Sequence, residues 1–187
     1  MRDRDIRDVL DAELRRQHPK NDTWIFHEFG VAHGASRVDI GLVNGSLEGF
    51  EIKSERDTLR RLPAQVAAYN RVFDRVAIVA SGKHVDPLLA EVPQWWGVMH
   101  AIETPAGVAI EVYRQGRDNP QRDPLALAEL LWRDELLAAL DARDLVDGVR
   151  SKPKRVLQQT LTAALDLDDL SAIVREALKR RDWRSAS

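Results

Sequence analysis

The chain has 187 residues, 44% hydrophobic and 31% charged, with a net charge of −2 and no cysteine. That is the profile of a globular protein long enough for a real core, one domain or one plus a small appendage. Disulfides, thiolate zinc sites and thiol nucleophiles are excluded. No apolar run is long enough for a membrane span, and the opening MRDRDIRD is not a signal peptide, so a cytoplasmic protein without a membrane partner is expected.

Residues 3–17 predict a helix with Ile6, Leu10 and Leu14 on one stripe. His18-Pro19 closes it, because a residue before proline avoids the α region. TWIFHEF at 23–29 predicts a strand with Trp24, Phe26 and Glu28 on one face and Ile25, His27 and Phe29 on the other. A carboxylate on an aromatic face makes Glu28 either a site residue or a rim residue beside the next loop. His27 and His33 flank the bend GVAHGAS and read as polar surface.

The stretch RVDIGLVNGSLEGFEIKS, residues 37–54, predicts a β-hairpin around Asn44-Gly45. A two-residue loop would pair Asp39 with Phe50 and mix apolar with charged faces. A three-residue loop, Asn44-Gly45-Ser46, pairs Val38 with Ile52, Ile40 with Phe50 and Asp39 with Glu51, leaving one dry face. That register expects positive φ at Gly45 or a neighbour. It also sets two carboxylates side by side, where like charges repel. Lys53 and Arg37 sit one step along the same face, and a hard divalent cation would suit the pair better still.

Leu59, Leu62, Val66, Tyr69 and Phe73 then recur at helical spacing, and Pro63 places the start of the main helix near Leu62. Gln65 and Tyr69, four apart, share a face. Arg56, Arg60, Arg61 and Arg71 make a basic edge that either positions phosphates or solvates the helix. RVAIVA at 75–80 predicts a buried central strand. Ser81-Gly82 punctuates it before a short helix at 86–91 with Pro87 in its first turn. Trp95-Trp96 reads as a core anchor rather than a base-stacking platform. A second hairpin follows around residues 104–107.

The polar stretch 116–123 reads as a linker. Asp123-Pro124 then caps a long leucine-rich helix to about residue 142, Gly148 ends a short one, and helices near 153–165 and 168–181 complete the chain, the last capped by Asp168. Residues 1–149 carry 19 basic and 25 acidic side chains, residues 150–187 nine and five. A basic end on an acidic body is either a nucleic-acid contact or a charged helical surface. The leucines and Gly148…Lys152 are similar to a SAP-type helix–loop–helix module and to a generic helix-turn-helix. A plain three-helix appendage satisfies the same pattern.

Asp39 on one hairpin strand and Glu51-Ile52-Lys53 on the next resemble the PD-(D/E)XK nuclease superfamily, with Val38 where its proline stands. Gln65-x-x-x-Tyr69 is similar to the QxxxY motif of RecB-like members. Glu28, Arg37-Val38-Asp39 and Glu51-Ile52-Lys53-Ser54 together resemble MmcB-type bacterial DNA repair proteins and a related family of small bacterial proteins. The likeness spans roughly residues 3–113.

It implies an α/β fold, with a restriction-endonuclease-like core over residues 1–115, in which helices flank a central mixed sheet, and an all-α region over 116–187. It also implies a metal-dependent nuclease acting on DNA by analogy, in repair or in defence against foreign DNA. Asp39, Glu51, Lys53 and Glu28 would be catalytic. Mg²⁺ or Mn²⁺ would sit on Asp39, Glu51, the Ile52 carbonyl and Glu28. Gln65 and Tyr69 would orient Lys53 or touch substrate, with Arg37, Arg56 and Arg60 on phosphates. Superfamily members often use a first-helix glutamate, which makes Glu13 a further candidate beside its reading as a solvated side chain. Two alternatives stand beside this: a non-catalytic DNA-binding protein that keeps the fold, and an interaction protein in which Asp39, Glu51 and Lys53 are a structural charge cluster. Pairing into a homodimer is open. No HExxH pair and no GK[ST] glycine loop occur, which argues against a zinc hydrolase or an NTPase.

Overall fold

Helix α1 (Asp3–Gln17) buries Ile6, Leu10 and Leu14, the stripe laid out at helical spacing. The structure, a computed structural model, describes residues 1–19 and 22–181. It divides into two units, one from Met1 to Gln121 and one from Arg122 onward.

Among the described residues the first unit holds six strands: β1 (Trp24–Val31), β2 (Ser36–Val43), β3 (Leu47–Lys53), β4 (Arg75–Ser81), β5 (Gly97–Thr104) and β6 (Gly107–Arg114). They lie in chain order in one mixed sheet. The pairs β3–β4 and β4–β5 are parallel and the rest antiparallel. Parallel neighbours need crossovers, and α2 (Leu62–Asn70) and α3 (Gly82–Glu91) supply them. The fold is therefore the α/β class expected.

Pleating decides which hairpin residues are dry. Ile40, Leu42, Phe50, Ile52 and Val79 face α1 and close one core with Ile6, Leu10 and Leu14. Gly49, Glu51 and Lys53 alternate with them and face the other side. There α2 and the turn after it cover them: Gln65 and Tyr69 bond to Glu51, and Phe73 lies against Gly49. The charged face of the hairpin is thus buried, with Glu51 and Lys53 each only 3% exposed. Trp96 is fully buried, stacks on Tyr69 at 6.0 Å and donates its Nε1–H to Asn70 Oδ1 at 2.8 Å, the core-anchor role.

A Cβ on Gly49 would lie 3.1 Å from the Phe73 ring. That ring is wedged edge-on against Tyr69 and Phe29 at 5.6 and 6.1 Å, so it has little room to give. Gly49→Ala is expected to destabilise by about 1–2 kcal/mol, measured as a lower urea midpoint; an unchanged midpoint would show that the ring yields freely.

The structure corrects several expectations. The hairpin has the three-residue loop and the predicted register, with Val43 opposite Leu47 and Ile40 opposite Phe50. Yet no residue from 44 to 46 has positive φ. The Asn44 side chain closes the turn instead, accepting from Ser46 N at 2.9 Å, an Asx-type contact that removes the need for a left-handed residue. In β1 the alternation breaks at Glu28, whose φ of 55° twists the strand so that Phe26 and Phe29, three apart, are both buried. Helix α3 starts at Gly82, directly after β4, and carries Pro87 in its interior rather than its first turn.

Among the described residues the second unit is helical, without strands. The long helix is broken into α4 (Pro124–Glu129) and α5 (Arg133–Asp141). Trp132 between them is extended, and its N–H is capped by Glu135 at 2.6 Å. Arg181 bonds both Glu135 and the Leu130 carbonyl, capturing an end that a continuous helix would have satisfied itself. Its guanidinium lies 4.3 Å from the centre of the exposed Trp132 ring. Around Gly148, at φ 75°, there are turns and no helix. Helices α6 (Lys154–Ala164) and α7 (Leu167–Arg180) follow, the last capped by Asp166 rather than Asp168. Among the described residues four helices, not three, pack around Leu127, Leu131, Leu136, Leu140, Leu157, Leu161 and Leu170.

Candidate functional site

At the open end of the β2–β3 ladder the backbone pairing stops at Ile40–Phe50. Beyond it the Asp39 side chain takes the place of a ladder carbonyl, and Asp39 Oδ2 accepts the Ile52 N–H at 2.7 Å. The strands part there, and a cleft of about 380 Å³ opens, lined by Glu28, Ser36, Arg37, Asp39, Glu51, Arg61 and Gln65 among others.

Glu51 is the buried floor of this site. Its Oε1 accepts from Lys53 Nζ at 2.7 Å and from Gln65 Nε2, and its Oε2 accepts from Tyr69 Oη at 2.8 Å. Lys53 Nζ also donates to Gln65 Oε1 at 3.0 Å. Tyr69 Oη lies 2.6 Å from the Arg37 carbonyl as well, so one proton serves two acceptors. Burial first, then the charge of Glu51, pushes the Tyr69 pKa upward, which keeps this hydroxyl a donor. Gln65 and Tyr69, four apart on α2, reach the same carboxylate because helical side chains at that spacing share a face.

Asp39 is the second carboxylate. Burial, then the neighbouring charge of Glu51, pushes its pKa up to about 6, against the opposing pull of the Ile52 N–H and Arg7. Glu28 lies opposite Asp39 in the β1–β2 register, which places His27 opposite Ile40 and Phe29 opposite Val38. It is half-exposed, 3.0 Å from Arg7 Nη1 and 3.8 Å from Arg37 Nη1.

The structure therefore brings together Glu28, Arg37, Asp39, Glu51, Lys53, Gln65 and Tyr69. Arg56 and Arg60 are exposed and do not line the cleft. Arg61 does, because it precedes Gln65 by four residues and so shares its helix face, a spacing legible in the sequence. Glu13 pairs with Arg16 and lines a different cavity. The residue that sequence reasoning missed is Arg7. Its guanidinium reaches Asp39 Oδ1 at 2.7 Å, the Asp39 carbonyl at 3.1 Å and Asp3 at 3.2 Å. Burial works against its charge, but Asp39, Asp3 and Glu28 outweigh that and its pKa is raised. No local pattern links a helix arginine to a strand 32 residues away.

Two adjacent, mutually repelling carboxylates are donors that suit a hard divalent cation. Among the described residues no three His, Cys, Asp or Glu side chains form a cage for a metal. Mg²⁺ does not need one, since it commonly takes one or two carboxylates plus substrate oxygens and water. No helix among the described residues is long and apolar enough to cross a membrane.

The family model of bacteriophage P4 protein cII matches residues 5–186. Protein cII of Enterobacteria phage P4 is 25% identical over 181 residues, covering 97% of this chain and 68% of that protein. Both point to the phage family and not to the PD-(D/E)XK families, MmcB-type proteins included, that the hairpin resembles. Among solved structures, SfsA of Pyrococcus furiosus in complex with Ca²⁺ is 19% identical with a TM-score of 0.33, over 58% of this chain and 60% of that one.

Proposed function

The chain belongs to the bacteriophage P4 protein cII family, and for this member we propose a metal-dependent phosphodiesterase that cleaves nucleic acid, DNA ahead of RNA, in the cytoplasm. One observation carries the reading: Asp39 and Glu51 share a cleft in which Lys53 is bonded to Glu51 and burial raises the Asp39 pKa. A pair of coupled carboxylates beside a buried lysine is a feature of functional sites.

Asp39 and Glu51 would hold Mg²⁺, with the Ile52 carbonyl and Glu28 as further oxygens. Bound there, the ion would supply positive charge beside a scissile phosphate and would lower the pKa of a water. The chain's own residues do the rest. Lys53, Gln65 and Tyr69 hold the Glu51 carboxylate in one orientation, with a donor on each oxygen. Arg61, which has no ion-pair partner among the described residues, and Arg37 stand on the cleft walls where a phosphate backbone would pass.

A second reading has an observation of its own. Every carboxylate oxygen of Asp39 and Glu51 already has a donor within the chain, as a purely structural cluster would. The test is a panel of linear duplex, single-stranded and branched DNA and RNA, incubated with Mg²⁺, with Mn²⁺ or with EDTA. A Glu51→Gln preparation controls for contaminating nuclease. Cleavage that needs the metal and is absent from the variant is expected. Retardation of DNA without cleavage would move the reading to a binding protein, and neither cutting nor retardation would leave the charge cluster as structural.

A further inference from the structure

The Arg7 guanidinium sits where the acidic cleft would place a cation. Asp39 has two oxygens, and the Ile52 N–H occupies Oδ2 at 2.7 Å. The other, Oδ1, is held by Arg7 Nη2 at 2.7 Å. Glu28, across the strand pair, is held by the second arm of the same guanidinium at 3.0 Å. The side chain is 19% exposed, and the main-chain carbonyl of Asp39 fixes it further at 3.1 Å. A planar guanidinium with several fixed N–H donors can hold two carboxylates at once through charge-assisted hydrogen bonds.

We propose that Arg7 and the divalent cation compete for Asp39 and Glu28, so that Arg7 sets how tightly the cleft takes its metal. The inference rests on the metal-dependent reading above. Displacement leaves Arg7 a second partner. Asp3, four residues earlier on α1, is 3.2 Å from Nη2 and 42% exposed, and an i,i+4 pair on the helix surface can keep the guanidinium once Asp39 is taken. The arginine is already bonded to Asp3 through Nε and Nη2 and can keep that partner rather than turn into the open. In this arrangement it offsets the charges of Asp39 and Glu28.

The test is calorimetric titration of the intact protein with MnCl₂ alone, in the absence of nucleic acid. Wild type is compared with Arg7→Gln and with Arg4→Gln. Arg4 lies on the same helix, is 87% exposed and pairs with Asp8, so it controls for the general loss of a positive charge. Urea melts confirm that each variant is folded. Arg7→Gln is expected to bind Mn²⁺ roughly tenfold or more tightly than wild type, the scale of one charge-assisted hydrogen bond, and Arg4→Gln less than about twofold. An Arg7→Gln affinity equal to or below wild type overturns the competition while leaving the metal reading intact. No Mn²⁺ binding by any folded variant overturns the metal reading itself, and the competition with it.

Discussion

Lys53→Ala is expected to destabilise the protein by about 3–5 kcal/mol, and to abolish cleavage as well. The pair it breaks is buried on both sides, with each side chain 4% exposed and Nζ 2.7 Å from Glu51 Oε1. Removing the lysine leaves a carboxylate in a low-dielectric site with only Gln65 and Tyr69 to solvate it. The loss of activity would then be confounded by a loss of fold. A double variant separates the two. Lys53→Met with Glu51→Gln removes both charges at similar volume, and the new amide oxygen can still accept from Gln65 or Tyr69. Replacing a buried ion pair by neutral groups is often close to neutral in stability. The double variant should therefore recover most of the urea midpoint and none of the cleavage. A Lys53→Ala protein as stable as wild type would mean that the pair is not sealed from water. Cleavage at wild-type rate in the folded double variant would remove Lys53 and Glu51 from the chemistry.

The parts of this site that were legible in the sequence are those fixed by local periodicity. The hairpin register followed from keeping Ile40 and Phe50 on one dry face, and it holds in the ladder. The α1 stripe and the Gln65–Tyr69 pair followed from helical spacing, and each packs as a single face. What stayed illegible is tertiary. The positive φ at Glu28 is favoured by no side-chain preference and makes sense only once Phe26 and Phe29 must both enter the core. The break between α4 and α5 is satisfied by Arg181, some fifty residues later in the chain. Pro87 marked a helix start by local preference, yet Gly82 begins the helix because β4 ends there. Arg7 belongs to the same class, since its partner Asp39 is identified by the fold and not by spacing.

Asp39→Asn should uncouple stability from activity as pH changes. The Asp39 carboxyl is pushed up to about 6 in the folded protein, against roughly 3.9 in an unfolded chain. The folded state thus holds the proton more tightly. Its contribution to stability is full below about pH 4 and is lost as pH rises through about 6. The gap is worth at most about 3 kcal/mol, at roughly 1.4 kcal/mol per pKa unit. Other groups titrate over the same range, so the measurement is a difference: urea unfolding of wild type and Asp39→Asn between pH 4 and 7.5. The asparagine keeps an acceptor for the Ile52 N–H and cannot ionise, so wild type should lose stability relative to the variant across that window. Parallel curves would show that the carboxyl does not titrate there. Activity runs the other way. A metal needs the carboxylate form, so at limiting metal wild-type cleavage should rise with pH as this carboxyl loses its proton. Asp39→Asn should be slower by roughly a thousandfold, the scale of a lost metal contribution of several kcal/mol. An active asparagine variant would remove Asp39 from the metal. The two opposite pH trends have one physical origin: burial first, and then the charge of Glu51, make the ionised form of Asp39 costly in the folded protein, and a divalent cation offsets both.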